Sequence, residues 1–198
     1  MKIILITAVL GILAVSQLRP ADPAHPGGPS GLLDSSTLFA VYGRGFDWAP
    51  ILGHLGTYKD IYAMAADTKT WIPKIAAANG GKGVVIGIDL IYGLAIPCKG
   101  TRNCLEYFDQ GTRDLVATYI KPASERGWTV ILDTQLGQSD PVTEVQRMID
   151  RGYLKYDNVH VAIDPEFHVV PGHDPPGIPI GTVTASQSTR PGRCWTIM

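Results

Sequence analysis

Val159-His160-Val161-Ala162-Ile163-Asp164, running into Pro165-Glu166-Phe167, is the stretch that sets the fold class. A short, nearly continuous apolar run closed by Asp and Pro predicts a strand buried on both faces. Three earlier runs have the same character: Leu38 to Tyr42 closed by Gly43, Gly83 to Asp89, and Trp128 to Asp133. Helical patterns lie between them. Lys59 to Asn79 carries Ile61, Met64, Ala65, Ile72, Ile75 and Ala76 near helical spacing and ends at Asn79-Gly80-Gly81. Pro73 is expected to kink or split that helix. Phe108 to Arg126 is the second, with Leu115, Val116, Tyr119 and Ile120 on one face and Gly127 after it. Asp140 caps the third, with Pro141 at its first position. Its expected buried stripe is Val142, Val145, Met148 and Ile149, and Gly152 closes it.

The order β-α-β-α-β-α-β with buried strands predicts a parallel α/β sheet. The candidates are a doubly wound sheet and a (βα)₈ barrel. No G-x-G-x-x-G follows the first strand and no P-loop is present, so no nucleotide cofactor is expected. Long loops after the strands, and strands closing on carboxylates, favour the barrel. With four strands, residues 36–187 read as the N-terminal half of a TIM-type barrel.

Composition limits the partners. The chain is 45% hydrophobic and 18% charged, which is globular rather than disordered usage. A formal net charge of -1 without a basic stripe argues against nucleic acid. Residues 1–16 read as a signal peptide: Met1-Lys2, then the apolar run Ile3 to Val15, then Ser16. That run is short for a bilayer span, although a retained anchor is the alternative. Residues 17–35 form a Pro/Gly-rich linker. The protein is therefore expected to be secreted or extracytoplasmic. Cys98 and Cys104 flank a short loop and, in an exported protein, are expected to form a disulfide. No spacing of His, Cys or carboxylates predicts a metal site.

Asp89, Asp133 and Asp164 each close a predicted strand, and Glu166 follows two residues after Asp164. In a parallel barrel these ends open on one face, where the site is built. Crowded carboxylates raise one another's pKa, so one stays protonated while another is charged. Glycosidic bond cleavage uses that division. Glu166 is the expected general acid, raised by Asp164 and by burial beneath the Pro171 to Pro179 loop. Asp133 or Asp89 would then orient substrate or water. Tyr42 and His168 are candidate substrate contacts. Against this, an Asp at a strand end often only caps a loop, and Tyr42 is equally a core residue. Glu106 is expected in a loop, and Glu125 and Glu144 on helix surfaces. No G-x-S-x-G elbow supports an esterase.

At these residues the chain resembles a family of exported bacterial proteins similar to the glycoside hydrolase superfamily of TIM barrels. The resemblance spans Phe39 to Gln187 and rests on Tyr42-Gly43, Ile131-Leu132-Asp133-Thr134-Gln135-Leu136-Gly137, Ala162-Ile163-Asp164-Pro165-Glu166-Phe167 and Ile180-Gly181-Thr182-Val183. It implies a (βα)₈ architecture. Asp164 and Glu166 also resemble the acid motif of chitinase-type barrels. The two upstream Asp positions of that motif hold Ala162 and Val159 here, so only Asp164 and Glu166 carry over.

The tail, residues 188–198, reads as aberrant. Shifted by one nucleotide, its codons permit Val-Asn-Gln-Ala-Arg-Ala-Met-Leu-Asp, an amphipathic helix where the family style calls for one. A frameshifted half of a longer barrel is the expectation. A genuine half-barrel that self-associates through its open edge is the alternative. The function expected is an exported hydrolase of glycosidic bonds, acting on a carbohydrate or another extracellular polymer. The alternatives are a non-catalytic glycan- or cell-wall-binding scaffold and a hydrolase of another bond such as an ester.

Overall fold

A computed structural model of the chain describes residues 35–48, 50–97, 103–169, 177 and 180–188. All belong to the unit Ser35–Met198. The signal peptide, almost all of the linker, the tail beyond Ser188, and Cys98 and Cys194 lie outside the described residues.

Five strands form one sheet: β1 Ser36–Gly43, β2 Gly83–Ala95, β3 Leu105–Tyr107, β4 Thr129–Gly137 and β5 Val159–His168. β1, β2, β4 and β5 are parallel neighbours in that order, and the sheet curls into half a barrel. The order never reverses, so the switch point of a doubly wound sheet is absent from it. β3 is antiparallel to β2 and was not foreseen; Glu106 lies in it rather than in a loop. Among the described residues, β1 and β5 are the unpaired edges.

Three helical segments cover one face. α1, Ile61–Ala78, is capped by Asp60, whose carboxylate accepts from the Tyr62 and Ala63 N–H groups. It continues through Pro73 as one helix instead of splitting. Ile61, Met64 and Thr68 are its buried positions, while Ile72 is exposed. α2 starts later than the sequence suggests. A π-helical stretch, Val116–Ile120, runs into the α-helical turn Lys121–Ser124. Asp114 caps it by accepting from the Ala117 N–H, and residues 108–114, read as its first turns, are turns and a bend. α3, Pro141–Asp150, is capped by Asp140 as expected, and Gly152 follows in the left-handed region. A last short turn, α4, spans Ala185–Ser188.

The core lies between sheet and helices. Val41, Ile86, Ile88, Leu90, Tyr92, Val130, Leu132 and Val159 pack on Ile61, Met64, Leu115, Tyr119, Ile120, Ala123 and Met148. Val161 packs against this layer half-buried, and Val85 and Ile131 are half-buried too.

Glu144 is a correction. Its helix-surface assignment fails: it is fully buried and accepts from the Tyr107 hydroxyl at 3.0 Å and the Ser139 hydroxyl at 2.5 Å. The α3 stripe is rotated, with Pro141, Glu144 and Met148 inward, so that these hydroxyls reach the carboxylate. Burial raises the Glu144 pKa, while those hydrogen bonds oppose the rise. Cys104 is buried and disulfide-bonded. Cys98, its expected partner, falls outside the described residues.

Candidate active site

The strands outrun their carboxylates. After Asp89, β2 continues through Leu90-Ile91-Tyr92; after Asp133, β4 continues through Thr134-Gln135-Leu136. These residues are themselves apolar or strand-compatible, so the ladder does not stop where a charge appears. Asp89, Asp133 and Asp164 therefore sit within strands rather than at their ends. Alternation then fixes their direction. Val41, Ile88, Leu90 and Leu132 face the helices. Their neighbours Tyr42, Asp89 and Asp133 face the opposite, inner side of the half-barrel. Tyr42 is directly in register with Asp89; Asp133 is in register with Ile91, and Asp164 with Gln135.

Asp133 is 7% exposed. Burial holds its pKa well above the usual carboxylate range, and Asp89, Asp164 and Glu166 push the same way. Asp89 is pushed up to about 7 by burial and by Asp164. Its Oδ1 is buried without a hydrogen-bond partner. Asp164 is pushed up to about 6 by burial and Glu166, while the Glu166 N–H, 3.3 Å from its Oδ1, opposes the rise. Tyr42 is held far above its ordinary value by burial, with Asp133, Asp89, Asp164 and Glu166 adding to it. A phenolate there would add a charge to an already crowded carboxylate group.

Glu166 is exposed, so the burial expected for it is not found; of the Pro171 to Pro179 loop only Gly177 is described. Its backbone is anchored, the carbonyl accepting from the Gly181 N–H at 2.8 Å. His168 is half-buried, and its Nδ1 donates to the Thr182 carbonyl at 2.8 Å. The structure thus brings Tyr42, Asp89, Asp133, Asp164 and Glu166 into one electrostatic group, and tethers His168 to the segment that follows β5.

Two residues escaped the sequence reading. His160 occupies the same cross-strand row as Tyr42, Asp89 and Ile131, and burial pushes its imidazole pKa down. Its place in an alternating strand was the available signal. Arg44 follows directly on β1 and is 1% exposed. The ladder between β2 and β4 slips between Ile91 and Gly93. Arg44 fills the gap, donating to the carbonyls of Ile91 at 2.7 Å, Tyr92 at 3.2 Å and Glu106 at 3.1 Å. It also pairs with the Glu106 carboxylate at 3.1 Å. Nothing local in Gly43-Arg44-Gly45 predicts contacts with residues almost fifty positions away.

Gly53 closes the loop over β1. Its φ is 113°, and a Cβ there would lie 2.5 Å from the Tyr42 carbonyl oxygen. Any side chain would push the loop off the strand that carries Tyr42.

Ser139 donates to Glu144 and Ser186 bonds Thr184, and among the described residues no hydrogen bond joins either serine to a histidine. Among those residues no group of three or more His, Cys, Asp or Glu is placed to hold a metal ion. No helix among them is long and apolar enough to cross a membrane. No family model, no curated protein and no solved structure matches this chain.

Proposed function

We propose that the protein is an exported hydrolase of glycosidic bonds, built on the N-terminal half of a TIM-type barrel. The observation that supports this reading best is the carboxylate trio Asp89, Asp133 and Asp164 on the inner face, with raised pKa values and one buried oxygen lacking a hydrogen-bond partner. Such a trio holds protons near neutrality and still offers a charged member.

Asp133 takes the acid role expected of Glu166, because it is the more deeply buried. In the first step the bond between the anomeric carbon and the leaving oxygen breaks as Asp133 gives that oxygen its proton. Water adds to the anomeric carbon and loses a proton to ionised Asp164. Glu166, exposed beside the trio, and Tyr42 contact the sugar hydroxyls. His168 positions the following segment through Thr182 rather than touching the reacting atoms.

The test is reducing-end release from a panel of bacterial and plant polysaccharides across pH. The kcat/KM profile should be a bell whose acid limb lies near 6 and whose alkaline limb follows the raised pKa of buried Asp133, both limbs belonging to the coupled trio. Activity rises as Asp164 ionises and falls as the last proton leaves the cluster. Glycan binding with no turnover at any pH would favour the scaffold reading.

Export also carries a disulfide proposal. Cys98 is the partner of Cys104, the pair enclosing Lys99 to Asn103. Alkylation of the unreduced protein should modify Cys194 alone. Modification of Cys98 as well would refute the pairing.

A further inference from the structure

Away from the inner face, a groove of ≈ 550 Å³ lies between the loop after β1 and the loop that leads from β3 into α2. Both loops leave strand ends, so the groove is on the helix-side rim of the half-barrel. Two aromatic side chains define its chemistry. Tyr62 is 71% exposed, although it sits in the first turn of α1. The Arg126 guanidinium lies 4.8 Å from its ring centroid, which supports one face of the ring. Trp48 is half-buried and is backed in the same way by Arg113 at 4.0 Å. Each ring is thus braced on one side by a cation-π contact. An exposed Tyr62 and a half-buried Trp48 thus line one groove together, and it is a contiguous aromatic surface of this kind that marks a binding site. Lys59, Thr112, Thr118 and Glu125 complete the lining with donors and acceptors of both charge signs.

We propose that this groove is a second carbohydrate-binding site, which holds a neighbouring stretch of the same glycan while the carboxylate trio cleaves it. The inference rests on the hydrolase reading for the identity of the polymer. A pyranose ring has an apolar C–H face and a rim of hydroxyls. The face suits a braced aromatic ring, and the rim suits a mixed set of short and charged hydrogen-bonding groups. A nucleic acid would require a cationic excess, yet Lys59 and Arg113 are matched by Asp60, Asp114 and Glu125. A proline-rich peptide also docks on aromatic grooves, but it makes little use of so many charged groups.

The experiment is retention of the intact chain on insoluble chitin, cellulose and purified peptidoglycan, together with affinity electrophoresis in soluble xylan and glucan. Tyr62→Ala, alone and with Trp48→Ala, should weaken retention on the glycan that binds by about tenfold per ring. Turnover of a short soluble substrate should stay unchanged, because neither residue belongs to the trio. Asp133→Asn should keep full retention while losing turnover. Unchanged retention in the Tyr62→Ala/Trp48→Ala protein overturns the groove and leaves the hydrolase reading standing. So does loss of retention in Asp133→Asn alone. Absence of retention on every glycan, or capture of a polyproline peptide instead, also overturns the groove, while turnover of the short substrate judges the hydrolase reading separately. Tyr62 is exposed enough that its loss should leave the thermal midpoint unchanged, which separates a binding effect from misfolding.

Discussion

Asp133→Asn should abolish turnover and, above pH 7, make the protein more stable. The two effects have one origin. Asp133 is 7% exposed and faces Asp89, Asp164 and Glu166 on one side of the sheet. Its charged form is poorly solvated and repelled, so the folded state holds a proton that the unfolded chain releases at an ordinary carboxylate pKa. Where the folded pKa is the higher, the folded state binds more protons, and stability falls as pH rises between the two values. For Asp89 and Asp164 the window runs from about 4, the unfolded value, up to about 7 and about 6 respectively. At Asp140 burial raises the pKa, but its hydrogen bonds to Thr143 and to backbone N–H groups together outweigh that and lower it, so it acts in the opposite sense at the acid end of that window. The thermal midpoint of the unmodified protein should therefore decline from pH 5 to pH 8. Asn keeps the volume and removes one charge. It should flatten that decline and add on the order of 1–3 kcal/mol at pH 8, or several degrees in midpoint. Turnover, which needs the transferable proton, should fall by roughly a hundredfold or more. Differential scanning calorimetry across pH, paired with the glycan assay, reads both. A variant that is less stable at pH 8 and still active would remove Asp133 from the cluster chemistry altogether.

What the sequence discloses, and what it hides, follows from where the signals lie. Four apolar runs and their helical spacers are local patterns, and β1, β2, β4, β5, α1 and α3 appear where those patterns place them. Caps are local too: Asp60, Asp114 and Asp140 each bond backbone N–H groups within three residues. The strand ends are less legible. An Asp looks like a terminator in a one-dimensional reading, but β2 and β4 run on through Leu90-Ile91-Tyr92 and Thr134-Gln135-Leu136. The carboxylates therefore lie within the strands and not at their ends, and Asp133 rather than Glu166 is the buried one. The identity of the carboxylate group was legible because its members share a strand parity. Its electrostatic ranking was not, because burial depends on neighbours from other strands. Glu144 and Arg44 were misread or missed for the same reason. Their partners lie on β3 and at the β2 bulge, which no periodicity announces.

Arg44 is the sharpest case, and its removal should cost more than any surface change. The guanidinium is 1% exposed and bonds three backbone carbonyls and one carboxylate. Burial pulls its pKa below the ordinary value, while the hydrogen bond and charge of Glu106 pull it back up. Arg44→Ala leaves the Ile91 carbonyl at the slip in the ladder without this donor, opens a cavity, and leaves Glu106 with only Arg113 at 3.9 Å. Unmaking a buried charge network of this kind costs about 3–5 kcal/mol. The urea midpoint should drop accordingly, with an unchanged slope. Arg44→Lys should recover less than half, since a single ammonium cannot span the fork between β2 and β3. The site should register the change as well. Ile91 lies two residues beyond Asp89 on the same face of β2, so loosening that turn admits water to the Asp89 carboxylate. Its pKa should fall from about 7 toward the ordinary range in Arg44→Lys, which a carboxyl NMR titration reads. An Arg44→Ala protein within 1 kcal/mol of the unmodified chain would show instead that the bulge is held by the ladder alone.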